Sequence, residues 1–362
     1  GARGLDPRRG QVTRPPQGKG LPTFAVWEAP DGVLWFGTDS GLLRHDPVSG
    51  QWEERPAPAD LAGAPVVDIC GDGQGRLWLA CPGAGLARVD PREQAWRLHG
   101  RNLSDPESLQ TSAIATVFVD AAGVVWAGHD LGVSLLDTHA KRFLHFDHRV
   151  SDATSLSHST VWSICEDREG SVWVGTESGL NRLDHDRGSF TRIPVEPGDP
   201  AATSDDRVVL VAEDRQGQLW LANPEGSLDR RDPRTGRFVH FRRDSTGRHG
   251  PPTLRVYDLT ETPDGTVWFG TYLGLQSWDP RTGRFTAHYG RRDPAFDLGG
   301  NACKTIDRGA DGTLWVGTWG VGLAHIDPDA RTRRMYRHAN HAPGSLTSDT
   351  STALLVARDG RV

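Results

Sequence analysis

The chain has 362 residues, with 41 basic and 47 acidic side chains, a formal net charge of -6, 43 glycines, 24 prolines, 13 tryptophans and a single methionine. That length admits two ordinary domains or one large β architecture. The charge balance shows neither the basic stripe of a nucleic-acid binder nor a long acidic tail, and no apolar run approaches the roughly 20 residues that a membrane helix needs.

From the N-terminus, Gly1–Asp6 aligns with Gly85–Asp90, so residues 1–20 have the spacing of the last two strands of a preceding repeat. Residues 21–344 hold seven units, each marked by a tryptophan: Trp35, Trp78, Trp126, Trp173, Trp220, Trp268 and Trp315. Successive spacings are 43, 48, 47, 47, 48 and 47 residues, too regular for a composition bias. Residues 345–362 fit the first strand and turn of a further unit, whose tryptophan would fall one residue past Val362. Because the chain starts at Gly1 and stops inside this pattern, it reads as a piece of a longer protein, and its lack of a leader says nothing of where that protein resides.

Each unit predicts four short strands. The first carries an apolar residue nine positions before the tryptophan (Val26, Ile69, Val117, Ile164, Val211, Leu259, Ile306), and a glycine stands three positions before it in every unit. Such a glycine supplies the positive φ of a tight hairpin joining strands one and two. Strand two then reads "LWFGT", "VWVGT", "VWFGT" or "LWVGT", strand three "GLLRHDP" or "GLAHIDP", and strand four follows a "DPRTG"-type turn. Four antiparallel strands repeated at this period predict an all-β fold: a β-propeller of four-stranded blades, seven complete repeats plus partial repeats at both ends, in a seven- or eight-bladed ring. A four-stranded sheet cannot bury both faces alone, so the motif tryptophans are expected to fill the wedges between blades.

"EDREGSVWVGTESGLNRLD" (166–184) resembles the propeller repeat of two-component regulators, as do the linkers "SDPESLQTSAI" (104–114), "SDATSLSHSTV" (151–161) and "APGSLTSDT" (342–350). The resemblance covers essentially the whole chain. It implies the extracytoplasmic or periplasmic sensor region of a bacterial hybrid histidine kinase or diguanylate cyclase, half of a sensor that is followed by further modules, a membrane helix and an intracellular catalytic domain. It implies no catalytic residue in the propeller. "LWLACPGAGL" (77–86) and "LWLANPEGSL" (219–228) depart from the pattern by losing Gly-Thr, and unit five places Arg231 before its Asp232, so altered loops or bends are expected there.

Enzymatic constellations are weak. "GDGQGR" (71–76) occupies the hairpin turn that six sibling units share, and no helix follows it. "TPDGTVW" (262–268) is similar to the Asp-box turn of sialidases, and "DPRTGRF" to quinoprotein repeats, but both recur as turns. Cys70, Cys81, Cys165 and Cys303 lack metal-ligand spacing and read as apolar fillers. His338 and His341 are too few for a metal site. No cofactor, metal or nucleic acid is expected. The remaining enzyme alternative is a secreted propeller of the streptogramin-lyase or quinoprotein type, and a scaffold binding only protein is a third.

Loops between strands two and three gather at one mouth of a propeller, and their first positions vary most: Asp39, Pro82, His129-Asp130, Glu177, Asn223, Tyr272 and Trp319. Of these, Trp319, Tyr272, His129, Asp130, Glu177, Asn223 and Asp39 are the candidate ligand-binding residues. Tyr272 and Trp319 belong to successive blades and offer a platform for a sugar or another flat ligand; packing on a partner domain is the alternative. His129-Asp130 reads as a solvated loop pair or a general-base pair. The expected partners are a small-molecule ligand, with carbohydrate as one candidate, the following modules of the same chain, and a second protomer in a homodimer.

Overall fold

The computed structural model describes residues 4–6, 11–13, 22–61, 63–92, 95–105, 107–137, 142–184, 188–196, 198–223, 227–252, 255–288, 298, 302–339, 345–346, 348–351, 353–357 and 362. Apart from one short 3-10 turn at Ala59–Leu61, its regular elements are strands. Seven sheets each carry four strands in sequence order, every neighbouring pair antiparallel. The first strands of the blades are Thr23–Glu28, Asp68–Gly71, Ile114–Val119, Val161–Glu166, Leu210–Glu213, Val256–Glu261 and Cys303–Arg308. From the first blade to the seventh, each lies against the first strand of the blade that follows it, and together they line the inner ring. The fold is a seven-bladed all-β propeller.

The hairpin glycines explain how strand one turns into strand two. Gly32, Gly75, Gly123, Gly170, Gly217, Gly265 and Gly312 all have φ between 79° and 85°, the left-handed region that favours glycine. In four blades an aspartate locks this turn to the motif tryptophan. Asp72 Oδ1 accepts the N–H groups of Gln74 (2.9 Å) and Arg76 (3.0 Å), while its Oδ2 accepts the indole N–H of Trp78 at 3.1 Å. Asp120, Asp167 and Asp214 hold Trp126, Trp173 and Trp220 at 2.9, 2.8 and 2.9 Å, and the Thr262 hydroxyl serves Trp268 at 3.3 Å.

The tryptophans sit between the blades. Trp35 packs with Ile69, Leu77 and Leu79 of the second blade, Trp126 with Val161, Val172 and Phe190 of the fourth, and Trp268 with Ile306, Leu314 and Ile326 of the seventh. All seven are at most 4 % exposed. A buried aromatic of 150–250 Å² contributes about 4–6 kcal/mol at 25 cal/mol per Å², enough to couple adjacent sheets. Arg231 joins the same wedge: its guanidinium lies 4.8 Å over the ring of Trp173, where other blades place an apolar side chain such as Val89 or Leu183.

Between the seventh blade and the first, the wedge is filled by residues 353–357. The Val356 N–H donates to Asp307 Oδ2 at 2.7 Å, Leu354 and Val356 pack with Trp315, and Leu355 and Ala357 pack with Leu34, Phe36 and Leu43. Gly4–Asp6 and Gln11–Thr13 pair with each other as a separate two-stranded sheet. All four cysteines are free, and burial pushes the thiols of Cys81 and Cys165 up to about 12 and about 11, as inert fillers require. Among the described residues no helix is long and apolar enough to cross a membrane.

Candidate functional site

Position by position, the loop after strand two divides into a buried residue and an exposed one. Three residues after the motif tryptophan, Thr38, Cys81, His129, Thr176, Asn223, Thr271 and Thr318 are all buried. Thr38, Thr176 and Thr271 each donate a hydroxyl hydrogen bond to the carbonyl of the glycine that opens strand three, at 2.9, 2.9 and 2.7 Å, so this position closes the turn. Asn223 does related work, its Oδ1 accepting the Ser227 N–H at 2.8 Å. One residue later, Asp39, Asp130, Tyr272 and Trp319 are exposed and Glu177 is half-buried.

His129 is therefore not half of a solvated pair with Asp130. Its Nδ1 accepts the Leu131 N–H (3.2 Å), its Nε2 meets Ser134 Oγ (2.8 Å), Ser134 Oγ meets His145 Nδ1 (2.9 Å), and His145 Nε2 meets the Ser108 carbonyl (2.7 Å). One donor order satisfies every atom with both imidazoles neutral: His129 Nε2–H to Ser134, the Ser134 hydroxyl to His145 Nδ1, and His145 Nε2–H to the carbonyl. Burial depresses the His129 pKa to about 4 in keeping with that state, so this side chain pins its blade.

A second set of mouth residues comes from strand one. In five blades the strand one–strand two register shifts by one residue, between Thr23 and Ala25, Ile114 and Thr116, Val161 and Ser163, Val256 and Asp258, and Cys303 and Thr305. A β-bulge of this kind re-aims the unpaired residue. Here those residues are Phe24, Ala115, Trp162, Tyr257 and Lys304. The second and fifth blades have no shift, and they are the two that carry alanine (Ala80, Ala222) in place of the glycine of "GT". In three bulged blades a Cβ on the glycine would collide with the side chain that follows the bulge: 2.7 Å from Thr116 Cγ2 for Gly128, 2.6 Å from Ser163 Oγ for Gly175 and 2.6 Å from Thr305 Cγ2 for Gly317. The expected altered bends of "LWLAC" and "LWLAN" are thus unbulged, shorter first strands.

The two sets meet. Backbone bonds tie three of the strand two–three loops to the chain entering strand one: Glu177 N–H to the Thr160 carbonyl (3.0 Å), Tyr272 to Arg255 (3.0 Å) and Trp319 to Ala302 (3.0 Å). In the fourth blade the Trp162 indole donates to Glu177 Oε2 at 2.7 Å, and Glu177 Oε1 pairs with Arg207. In the sixth, the Arg255 guanidinium lies 5.7 Å over Tyr272. Lys304 Nζ stands 3.8 Å from the ring of Tyr257 and 4.8 Å from that of Trp319, bridging the sixth and seventh blades. Tyr272 and Trp319 do not form one stacked platform; each ring takes its own cation. Among the described residues the exposed aromatic rings are Phe24 (38 %), Trp162 (49 %), Tyr272 (53 %) and Trp319 (59 %), and all four lie at this mouth.

The two component regulator propeller family matches residues 155–178 and 250–273, the stretches that supply Trp162, Glu177, Tyr257 and Tyr272. Those two stretches are two-component regulator propeller repeats. Among solved structures, this repeat propeller is similar to the extracellular domain of the hybrid two component system BT3049 from B. thetaiotaomicron, at 18 % identity and a TM-score of 0.56, covering 93 % of this chain and 49 % of that one. It is also similar to virginiamycin B lyase from Staphylococcus aureus, at 13 % identity and a TM-score of 0.58, covering 83 % of this chain and 93 % of the lyase. A catalytically inactive variant of that lyase with quinupristin matches at 12 % identity and a TM-score of 0.58, over 84 % and 94 % of the two chains. Likeness at these identities is likeness of fold. The chain spans about half the length of the two-component extracellular domain it matches. Curated protein sequences give no significant match.

Proposed function

We propose that the mouth formed by the bulge residues and the strand two–three loops is the ligand-recognition face of an extracytoplasmic sensor module. The parent in this reading is a bacterial membrane-bound signalling protein, a two-component histidine kinase or a diguanylate cyclase, and this part of it is not itself catalytic. One observation carries the reading: the exposed aromatic rings of the described residues converge on one mouth, whereas the seven motif tryptophans are spent inside the wedges. Rings of Trp162, Tyr272 and Trp319, held by hydrogen bonds and cations, are pre-ordered faces for a flat ligand such as a sugar ring, and pre-ordering lowers the entropy cost of binding. The repeat family supports the signalling context.

In this reading the bound ligand changes how the propeller packs against the following modules of the same chain, which requires different affinities for the two signalling states. Thermal-shift titration with xylo-, malto- and galacto-oligosaccharides is the test. At least one should raise the melting temperature of the wild type, and the shift should vanish in Trp162→Ala and Trp319→Ala. A ligand-induced shift that survives both substitutions would place recognition elsewhere.

A further inference from the structure

The charges at the mouth are not evenly shared. Arg207, beside the fourth blade, is neutralised by Glu177. Exposed Asp39 and Asp130 belong to the first and third blades. The seventh blade presents Lys304, with the Arg255 guanidinium of the sixth close enough to contribute, after burial, to lowering the Lys304 pKa. Lys304 forms no ion pair among the described residues; its ammonium is held between the rings of Tyr257 and Trp319 at 3.8 and 4.8 Å. Rings stabilise a cation through their quadrupole but do not cancel its charge, so the site retains a local positive field beside exposed aromatic faces. The bulge between Cys303 and Thr305 is what sends this side chain to the mouth, where the equivalent position of the fourth blade carries Trp162 and that of the first Phe24.

We propose that the mouth over the sixth and seventh blades takes an acidic ring, with a carboxylate or sulfate against Lys304 and a flat face on Trp319 or Tyr272. This rests on the reading of the mouth as the ligand face. A lysine acts on an oxyanion as a point charge and accepts either group. The rings select for a planar or flat-faced body. Asp39 and Asp130, on other blades of the same mouth, repel a second acidic group and so set which end of the ligand faces which blades.

Calorimetric titration of the chain with matched pairs tests the assignment: trigalacturonate against its methyl ester, and benzoate against benzamide, with wild type, Lys304→Met and Trp319→Ala. In at least one pair the acid should bind roughly tenfold more tightly than its neutral partner. Lys304→Met should abolish that difference, leave the weaker neutral binding in place and keep the wild-type melting temperature. The pair that responds separates a sugar acid from an aromatic acid. Equal affinity within both pairs, with binding lost in Trp319→Ala, overturns the acidic assignment and leaves the mouth as the ligand face. No binding by either acid at millimolar concentration overturns the acidic assignment, and a preference for the acid that persists in Lys304→Met overturns it too.

Discussion

The indole N–H of Trp126 donates to Oδ2 of Asp120 at 2.9 Å, while Oδ1 of the same carboxylate accepts the N–H of Val124 at 2.8 Å. One side chain thus fixes both the hairpin turn and the ring that fills the next wedge. Asp120→Ala leaves a buried indole donor without its acceptor, and urea unfolding should show a loss of about 1–3 kcal/mol. Asp120→Asn, which keeps a carbonyl oxygen, should lose less. A loss below about 0.5 kcal/mol in the alanine variant would mean the turn holds without this bond.

The glycine of the "GT" pair makes room for the neighbouring first strand. Gly175→Ala pushes a methyl to 2.6 Å from Ser163 Oγ, beside the bulge, and to 2.7 Å from the Val208 carbonyl oxygen of the next blade; it should destabilise the chain by about 1–3 kcal/mol and change Trp162 fluorescence. Ala80→Gly, in a blade without a bulge, should cost about 0.5–1 kcal/mol from backbone freedom alone. Equal costs at the two positions would contradict the link between glycine and bulge.

Buried neutral histidines give the stability a defined pH dependence. His99 and His129 fall from the ordinary 6.5 to about 4, chiefly through burial. The unfolded chain therefore takes up these protons first as pH drops. Their contribution is fully present above pH 6.5 and is lost as pH falls toward about 4. Unfolding midpoints measured across that window should decline steadily. His129→Thr, which installs the residue found at Thr38 and Thr176, should flatten part of the decline.

Exposed and wedge aromatics should separate cleanly by stability. Trp319→Ala with Tyr272→Ala removes rings that are 59 % and 53 % exposed and should shift unfolding by no more than about 1 kcal/mol. Trp173→Ala empties a wedge and should cost about 3–5 kcal/mol. If the loop pair destabilises as much as Trp173, those rings belong to the core.

The fold was legible because its determinants are local and periodic: the hairpin glycines, the tryptophan two-face pattern of strand two and the turn residues all recur at fixed offsets. Half of the mouth was legible too, since Trp319, Tyr272, Asp130 and Asp39 stand in a loop whose position follows from the repeat. His129 and Asn223 looked equally exposed in sequence but are buried, because the third residue after the motif tryptophan turns inward to close the loop. Trp162, Tyr257 and Lys304 escaped notice because a bulge is decided across strands, where the side chain after it in strand one packs on the "GT" glycine of strand two. Loss of that glycine in units two and five was the available signal, and it marked where the bulge is missing. The aspartate of the repeated "D..G" was visible as a pattern, but its bond to the indole depends on a rotamer that spacing does not give.

The central claim, that this mouth is the recognition face, is tested most directly by a crystal structure of the chain soaked with an oligosaccharide or acid that shifts its melting temperature. The bound molecule should contact at least two of Trp162, Tyr257, Tyr272 and Trp319. A molecule bound at the opposite mouth or along the outer fourth strands, with these four rings left uncovered, would contradict it.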